Sequence, residues 1–269
     1  MKKLQAGLVI EGNSTSSTLL RLAGVVEELG PIKSSSLQVA RRVSNFLKAG
    51  YAVTSYGDLS IAKTILIRVP DGSIDKVVTE LCKANWTWSD HFFVLCETWA
   101  PTEKLEPLRT RGASIASLVA LPGSRPGTYA VEGDVPAVRQ IRRMIERANG
   151  HTLELRSGSK HLFFAAAVLC TAIPVPVLLM AQQLLRESGV SGNQLLGAIE
   201  DMSEEMLAGM LKGARMTWGG PLADSIRSCH GPYWDRLDET HPELSGTLRD
   251  LVNWSRGYMG QKLGRSQGA

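Results

Sequence analysis

Through its first half this chain repeats one pattern: a short apolar run, a polar turn, then a stretch whose apolar residues recur at helical spacing. A strand covered by helices on both faces reads as a continuous apolar run, so this rhythm predicts β-α-β units around a parallel sheet. Strands are expected at Leu8 to Ile10, around Ile32, at Tyr51 to Thr54, at 64–69 (TILIRV), at 92–96 (FFVLC) and at 114–121 (SIASLVAL). Between them lie helical stretches, one carrying Leu19, Leu20, Leu22, Val25 and Val26, another at 37–48, one with Ile74, Val77, Val78 and Leu81, and one near 103–110. Six strands in this order predict an α/β protein with a doubly wound sheet. A proline- and glycine-rich crossing follows at 121–127, then YAVEGD, a helix at 135–148 and a strand at 151–155, one more β-α-β unit for the sheet's edge.

After Ser157 the strand rhythm stops. Long helices are expected at 158–187, 191–214, 219–229 and 243–260, so the chain divides near residue 156 into an α/β domain (1–156) and an all-α C-terminal domain (157–269).

The four cysteines, Cys82, Cys96, Cys170 and Cys229, form no C-x-x-C pair, so neither a zinc site nor a redox dithiol is expected and the thiols fit a reducing cytoplasm. No histidine among His91, His151, His161, His230 and His241 has metal-ligand spacing or a nucleophile partner; each reads as a surface or capping residue. The tryptophans at 86, 88, 99, 218, 234 and 254 read as core or interface anchors, with Trp218 alternatively lining a cleft. Net charge is +4, and its densest basic stretch, Arg139, Arg142, Arg143 and Arg147, falls at helical spacing, which reads as a solvated helix face and not a nucleic-acid surface. Leu162 to Ala181 is uncharged and long enough to span a bilayer, but it contains Pro174 and Pro176 and lacks an aromatic belt or basic flank. A buried helix at a core or subunit interface is the preferred reading, without a membrane.

A dinucleotide site would lie where the first strand turns into a helix, with glycine allowing the pyrophosphate close to backbone N–H groups. In Ile10-Glu11-Gly12-Asn13-Ser14-Thr15 only the middle glycine of G-x-G-x-x-G remains. Gly12, Asn13, Ser14 and Thr15 keep hydrogen-bonding capacity, while Glu11 sets a carboxylate beside the expected phosphates. After the second strand the chain offers Ser34 and Ser35 where an acid would select NAD, so NADP is the preferred cofactor; Ser36 reads either as part of that site or as the cap of the next helix.

ARRV at 40–43, VPDGSI at 69–74, YAVEGD at 129–134, K-x-x-x-F-A-A-A-V at 160–168 and GGPLADS at 219–225 stand in the order and spacing of one group. In these residues the chain resembles a little-characterised family of Rossmann-like NADP-binding oxidoreductases with a C-terminal helical domain. That family is related to pyrroline-carboxylate reductases, ketopantoate reductases and β-hydroxyacid dehydrogenases, and its helical half is similar to the C-terminal domain of 6-phosphogluconate dehydrogenase. The resemblance implies a homodimer packed through the helix starting near Lys160. It also implies a cofactor lying against Val69, Pro70, Asp71 and Thr98, and a small carbonyl, hydroxyl or imine substrate.

Several positions depart from that pattern. Phe163-Phe164 replace Tyr-His after Lys160, Thr171-Ala172 replace Ser-Asn, Asp224 stands for an arginine, Val119-Ala120 for His-Pro, and Glu97-Thr98 for Ser-Gly. Much of the polar equipment that would polarise a carbonyl or imine is missing. Two readings follow: an NADP-dependent oxidoreductase with Lys160 as its acid, or a catalytically degenerate dimer that binds a ligand or regulates. Lys160 itself reads either as that acid or as a surface lysine at a helix start.

Overall fold

A computed structural model describes residues 6–11, 23–121, 127–212, 226 and 228–266. Eight strands form one sheet, β1 (Ala6–Ile10), β2 (Leu29–Lys33), β3 (Tyr51–Val53), β4 (Thr64–Arg68), β5 (Phe92–Cys96), β6 (Ser114–Ala120), β7 (Thr128–Gly133) and β8 (His151–Glu154). Their order is β3-β2-β1-β4-β5-β6-β7-β8. The first six pair in parallel, as expected. β7 runs antiparallel to β6, and β8 returns parallel to β7, so the extra β-α-β unit is attached as a reversed edge to an otherwise parallel sheet.

The inner strands β1, β2, β4, β5, β6 and β7 bury both faces, which is why the sequence shows runs and not alternation there, while the edge strands β3 and β8 are largely exposed. Leu8, Ile10, Leu66, Val94, Cys96 and Tyr129 face one core with Val25 of helix α1 (Ala23–Glu27), Ala40 and Val43 of α2 (Leu37–Leu47), and Ile141, Met144 and Ile145 of α5 (Val135–Arg147). Val9, Ile65, Ile67, Phe93, Leu95 and Ile115 face a second core with Val77, Val78 and Leu81 of α3 (Ile74–Lys83) and Leu108 of α4 (Glu106–Arg109). Burial of each such side chain contributes about 1.5–3 kcal/mol before entropy is subtracted.

The chain separates into two compact units, Met1–Pro176 and Val177–Ala269. Helix α6 (Lys160–Thr171) therefore belongs with the sheet, although the strand rhythm ends before it. The expected helix at 158–187 is two helices, α6 and α7 (Pro174–Glu187), because Pro174 cannot donate the next helical hydrogen bond. Most of α7 lies in the second unit with α8 (Asn193–Leu211), α9 (Pro232–Thr240) and α10 (Pro242–Ser266). There the α9–α10 pair is held by Arg249, whose two Nη groups donate to Asp238 at 2.6 and 2.8 Å while its guanidinium lies 5.1 Å from the Trp234 ring. The expected helix at 219–229 falls mostly outside the described residues.

Two expectations change. His91 is not a surface residue but a buried one at the C-cap of the 3-10 turn Trp88–Asp90, with Nδ1 2.7 Å from the Thr87 carbonyl and Nε2 2.9 Å from that of Ser60, and it meets Trp86 edge-on. The apolar run after Lys160 is not buried within the chain either, since Leu162, Leu169 and Ile173 are 63%, 57% and 51% exposed. Residues 160–187 are long and apolar enough, by length and composition, to cross a membrane. On α5, Arg139 and Arg143 are solvated, Arg142 pairs with Glu154, and Arg147 with Glu28 at 2.7 Å.

Candidate functional site

In a doubly wound sheet, the carboxyl ends of strands beside the point where strand order reverses leave a crevice for ligands. Here the reversal lies between β1 and β4, the strands ending at Ile10 and Arg68. Gly12, Asn13, Ser14 and Thr15 lie outside the described residues, as do Trp218 and Asp224. Glu11 is described: its N–H donates to the Arg68 carbonyl at 3.3 Å, so its backbone continues the β1–β4 ladder.

At the end of β2, Ser34 is buried and its Oγ has no hydrogen-bond partner among the described residues, while Ser35 is exposed. A buried hydroxyl without a partner is costly, so this atom is a candidate for a ligand's polar group. Beside it, Lys33 Nζ donates to the Ser34 carbonyl and stands 4.8 Å from the Tyr56 ring. Burial lowers the Lys33 pKa against the opposing charges of Glu11 and Glu80, and burial raises that of Tyr56 to about 12. Ser36 takes the N-cap position of α2 but makes no side-chain capping bond.

The loops after β4 and β5 are tied together. Val69 is buried, Pro70 and Asp71 are exposed, and Thr98 Oγ1 donates to Asp71 Oδ1 while accepting from the Ala100 N–H at 3.0 Å. Arg68 Nε donates to Glu97 Oε2 at 2.5 Å, and Glu97 sits at φ 53°, a left-handed conformation uncommon for a residue with a side chain. The structure thus brings Val69, Pro70, Asp71 and Thr98 to one edge, with Ser34 and Ser35 at the end of β2.

Lys160 is not a surface lysine. Only 4% exposed at the first position of α6, it donates from Nζ to the Ala100 carbonyl at 2.7 Å. A cation at a helix N-terminus opposes the helix dipole, and a buried ammonium is costly, so stability alone does not explain the residue here. Burial lowers its pKa to about 8, opposed first by Glu132 and then by Cys96, Asp71 and Glu103. Beside it, Trp99 packs on Phe164 with ring centroids 4.3 Å apart and on Phe163 at 6.1 Å, an apolar shelf. The Cys96 thiol is buried, which raises its pKa.

Sequence reasoning missed the Ala100 carbonyl, Thr102 and Glu132. Glu132, on β7, is 1% exposed and accepts from Thr102 Oγ1 at 2.6 Å. Its one sequence signal is a carboxylate inside an otherwise apolar strand, TYAVEG. The contact between Lys160 and a loop carbonyl has no sequence signal. Among the described residues no cluster of three or more His, Cys, Asp or Glu could hold a metal.

Solved structures share this architecture over nearly the whole chain. A Bacteroides fragilis protein assigned as an NADP oxidoreductase matches 95% of this chain and 98% of its own at TM-score 0.69 and 12% identity. The shared fold is a Rossmann-type α/β sheet followed by helices. An imine reductase from Bacillus cereus matches 98% of this chain and 99% of its own at TM-score 0.64 and 12% identity. A pyrroline-5-carboxylate reductase from Coxiella burnetii matches 98% of each chain at TM-score 0.59 and 12% identity. Neither a protein-family profile nor a curated protein sequence matches the chain.

Proposed function

We propose that this protein is an NADP-dependent oxidoreductase acting on a small carbonyl, hydroxyl or imine compound. The observation that carries this reading is Lys160: a buried ammonium bonded to the Ala100 carbonyl beyond the end of β5. The similar solved structures add support, among them a Myxococcus stipitatus imine reductase variant in complex with NAD+, which matches at TM-score 0.66 and 12% identity over 95% of this chain and 94% of its own.

The residues at the strand ends fit the cofactor's polar groups in chemistry. Ser34 supplies a buried hydroxyl lacking a partner, Lys33 a nearby cation, and no acid stands at the end of β2 to repel a 2′-phosphate. Gly12, Asn13, Ser14 and Thr15 would hold the pyrophosphate, Ser34 and Ser35 the ribose side, and Val69, Pro70, Asp71 and Thr98 the nicotinamide end. The cofactor, when bound, supplies or accepts hydride. In the direction of reduction, Lys160 donates a proton from Nζ to the substrate oxygen or nitrogen, while Trp99, Phe163 and Phe164 limit water beside it. The apolar side chains of α6 and α7 are covered by a second copy of the chain, in the cytoplasm, without lipid or nucleic acid.

Titration of the protein with NADPH and NADH, read by nicotinamide fluorescence, should show binding with NADPH preferred; no binding of either at millimolar concentration refutes the reading. For a reduction, kcat/KM should fall as pH rises through about 8, where the ammonium is lost. Lys160→Ala should lower turnover by about 10²–10⁴-fold, the usual worth of a positioned proton donor.

A second reading, a ligand-binding or regulatory dimer without hydride chemistry, draws on Glu11, a carboxylate following β1 where a phosphate-bearing ligand would meet repulsion. Turnover abolished in Lys160→Ala rejects it.

A further inference from the structure

Five buried polar residues gather around one part of the sheet. Thr98, Thr102, Ser117, Glu132 and Lys160 are each no more than 5% exposed. Ser117 lies directly opposite Glu132 in the β6–β7 register. Thr102 comes from the short 3-10 turn Thr102–Leu105 after β5 and hydrogen-bonds one Glu132 oxygen, Oε1, at 2.6 Å. The other oxygen, Oε2, is buried and has no hydrogen-bond partner among the described residues. A carboxylate taken out of water and given one neutral donor is heavily under-compensated. Lys160 is a buried cation tied to the same loop: its Nζ donates to the Ala100 carbonyl, two positions before the Thr102 that holds Glu132, and among the described residues no direct ion pair joins the two charges.

From this arrangement we infer that Glu132 is the positioning residue for Lys160: the two buried charges are held on the one segment 100–102, Lys160 by the Ala100 carbonyl and Glu132 by Thr102, so that the carboxylate acts across that segment to keep the lysine an ammonium, without a direct ion pair. The groups acting on Lys160 come from four places: Glu132 on β7, Cys96 on β5, Asp71 after β4 and Glu103 in the 3-10 turn, with Glu132 the strongest opponent of the burial effect. Asp71 already accepts from Thr98 and is an exposed residue whose charge solvent screens. Glu132 is the deeply buried acid of the set, so its field is least screened.

The coupling is independent of turnover, and only its catalytic consequence rests on the oxidoreductase reading. In the full chain carrying isotope-labelled lysine, the Lys160 signal, assigned by its loss in Lys160→Met, should titrate near 8 by NMR. In Glu132→Gln the midpoint should fall by about one unit or more, since a nearby opposite charge favours the ammonium by about 1–3 units. An unmoved midpoint in folded Glu132→Gln overturns the inference. Thermal melting of Lys160→Met, Glu132→Gln and the double variant provides a second measurement that survives a poorly folded single variant. The double should lose clearly less than the sum of the singles, because it leaves neither charge alone; simple additivity overturns the couple. A shifted midpoint in a protein that binds no NADPH supports the couple while removing the oxidoreductase reading.

Discussion

Gly133 is the residue on which the reversed edge of the sheet depends most directly, and Gly133→Ala tests that dependence. It ends β7 at φ 139°, opposite Ala116 in the β6–β7 register. A methyl there would come 2.4 Å from the Ile115 carbonyl oxygen, 2.5 Å from Ala116 Cα and 2.8 Å from Ala116 Cβ, all groups that cannot rotate away. The same Ile115 carbonyl accepts from the Asp134 N–H at 2.8 Å, and Asp134 Oδ2 accepts from the Ile115 N–H at 2.9 Å, so separating the strands breaks a reciprocal clasp. Backbone strain at this φ costs about 1–3 kcal/mol, overpacking about 1–3 kcal/mol, and a lost hydrogen bond about 1 kcal/mol. The total of about 3–7 kcal/mol is large against the roughly 5–15 kcal/mol that stabilises an ordinary domain. At about 2–4 °C per kcal/mol, Gly133→Ala should lower the melting temperature by on the order of 10 °C or more. Hydrogen exchange at the Asp134 and Ile115 amides should accelerate with it. Gly72→Ala is the control: nothing lies within 4 Å of its added methyl, and it should melt within about 0.5 kcal/mol of the unchanged chain. Equal melting of Gly133→Ala and Gly72→Ala would refute the reasoning.

His91→Leu removes the ring N–H that an imidazole can donate to the Thr87 or the Ser60 carbonyl and should cost about 0.5–1.5 kcal/mol in urea unfolding, the usual net worth of one hydrogen bond; an unchanged midpoint would show that water or other groups replace the imidazole. If a second copy covers α6, Leu169→Glu removes an apolar contact twice over in a symmetric dimer and adds charge. Its dissociation constant should then rise by about three orders of magnitude in sedimentation equilibrium. An unchanged sedimentation profile would place the contact elsewhere.

Much of the architecture was legible in the sequence because its signals are local. Apolar runs such as FFVLC and TILIR can be buried on both faces only in a covered sheet, and α3 and α5 announce themselves through apolar residues at helical spacing. The strand ends that carry Ser34, Val69, Pro70, Asp71 and Thr98 follow from that order of elements. Local pattern also fixed Lys160 at a helix start, without saying whether its ammonium faced water.

Tertiary structure decided the rest, because burial and charge compensation depend on residues distant in the chain. The antiparallel pairing of β7 with β6 comes from the way Gly133 lets two backbones approach. Helix α6 joins the sheet unit, and Lys160 lies within reach of a carbonyl sixty positions earlier. His91, read as a surface or capping residue, is buried with a ring nitrogen facing each of two carbonyls, and Glu132, which drew no reading of its own, is a buried carboxylate bonded to Thr102. A sequence specifies which side chains exist and the period at which they recur. Whether a charge is dry, and which opposite charge shares its pocket, is settled only when the sheet closes over it.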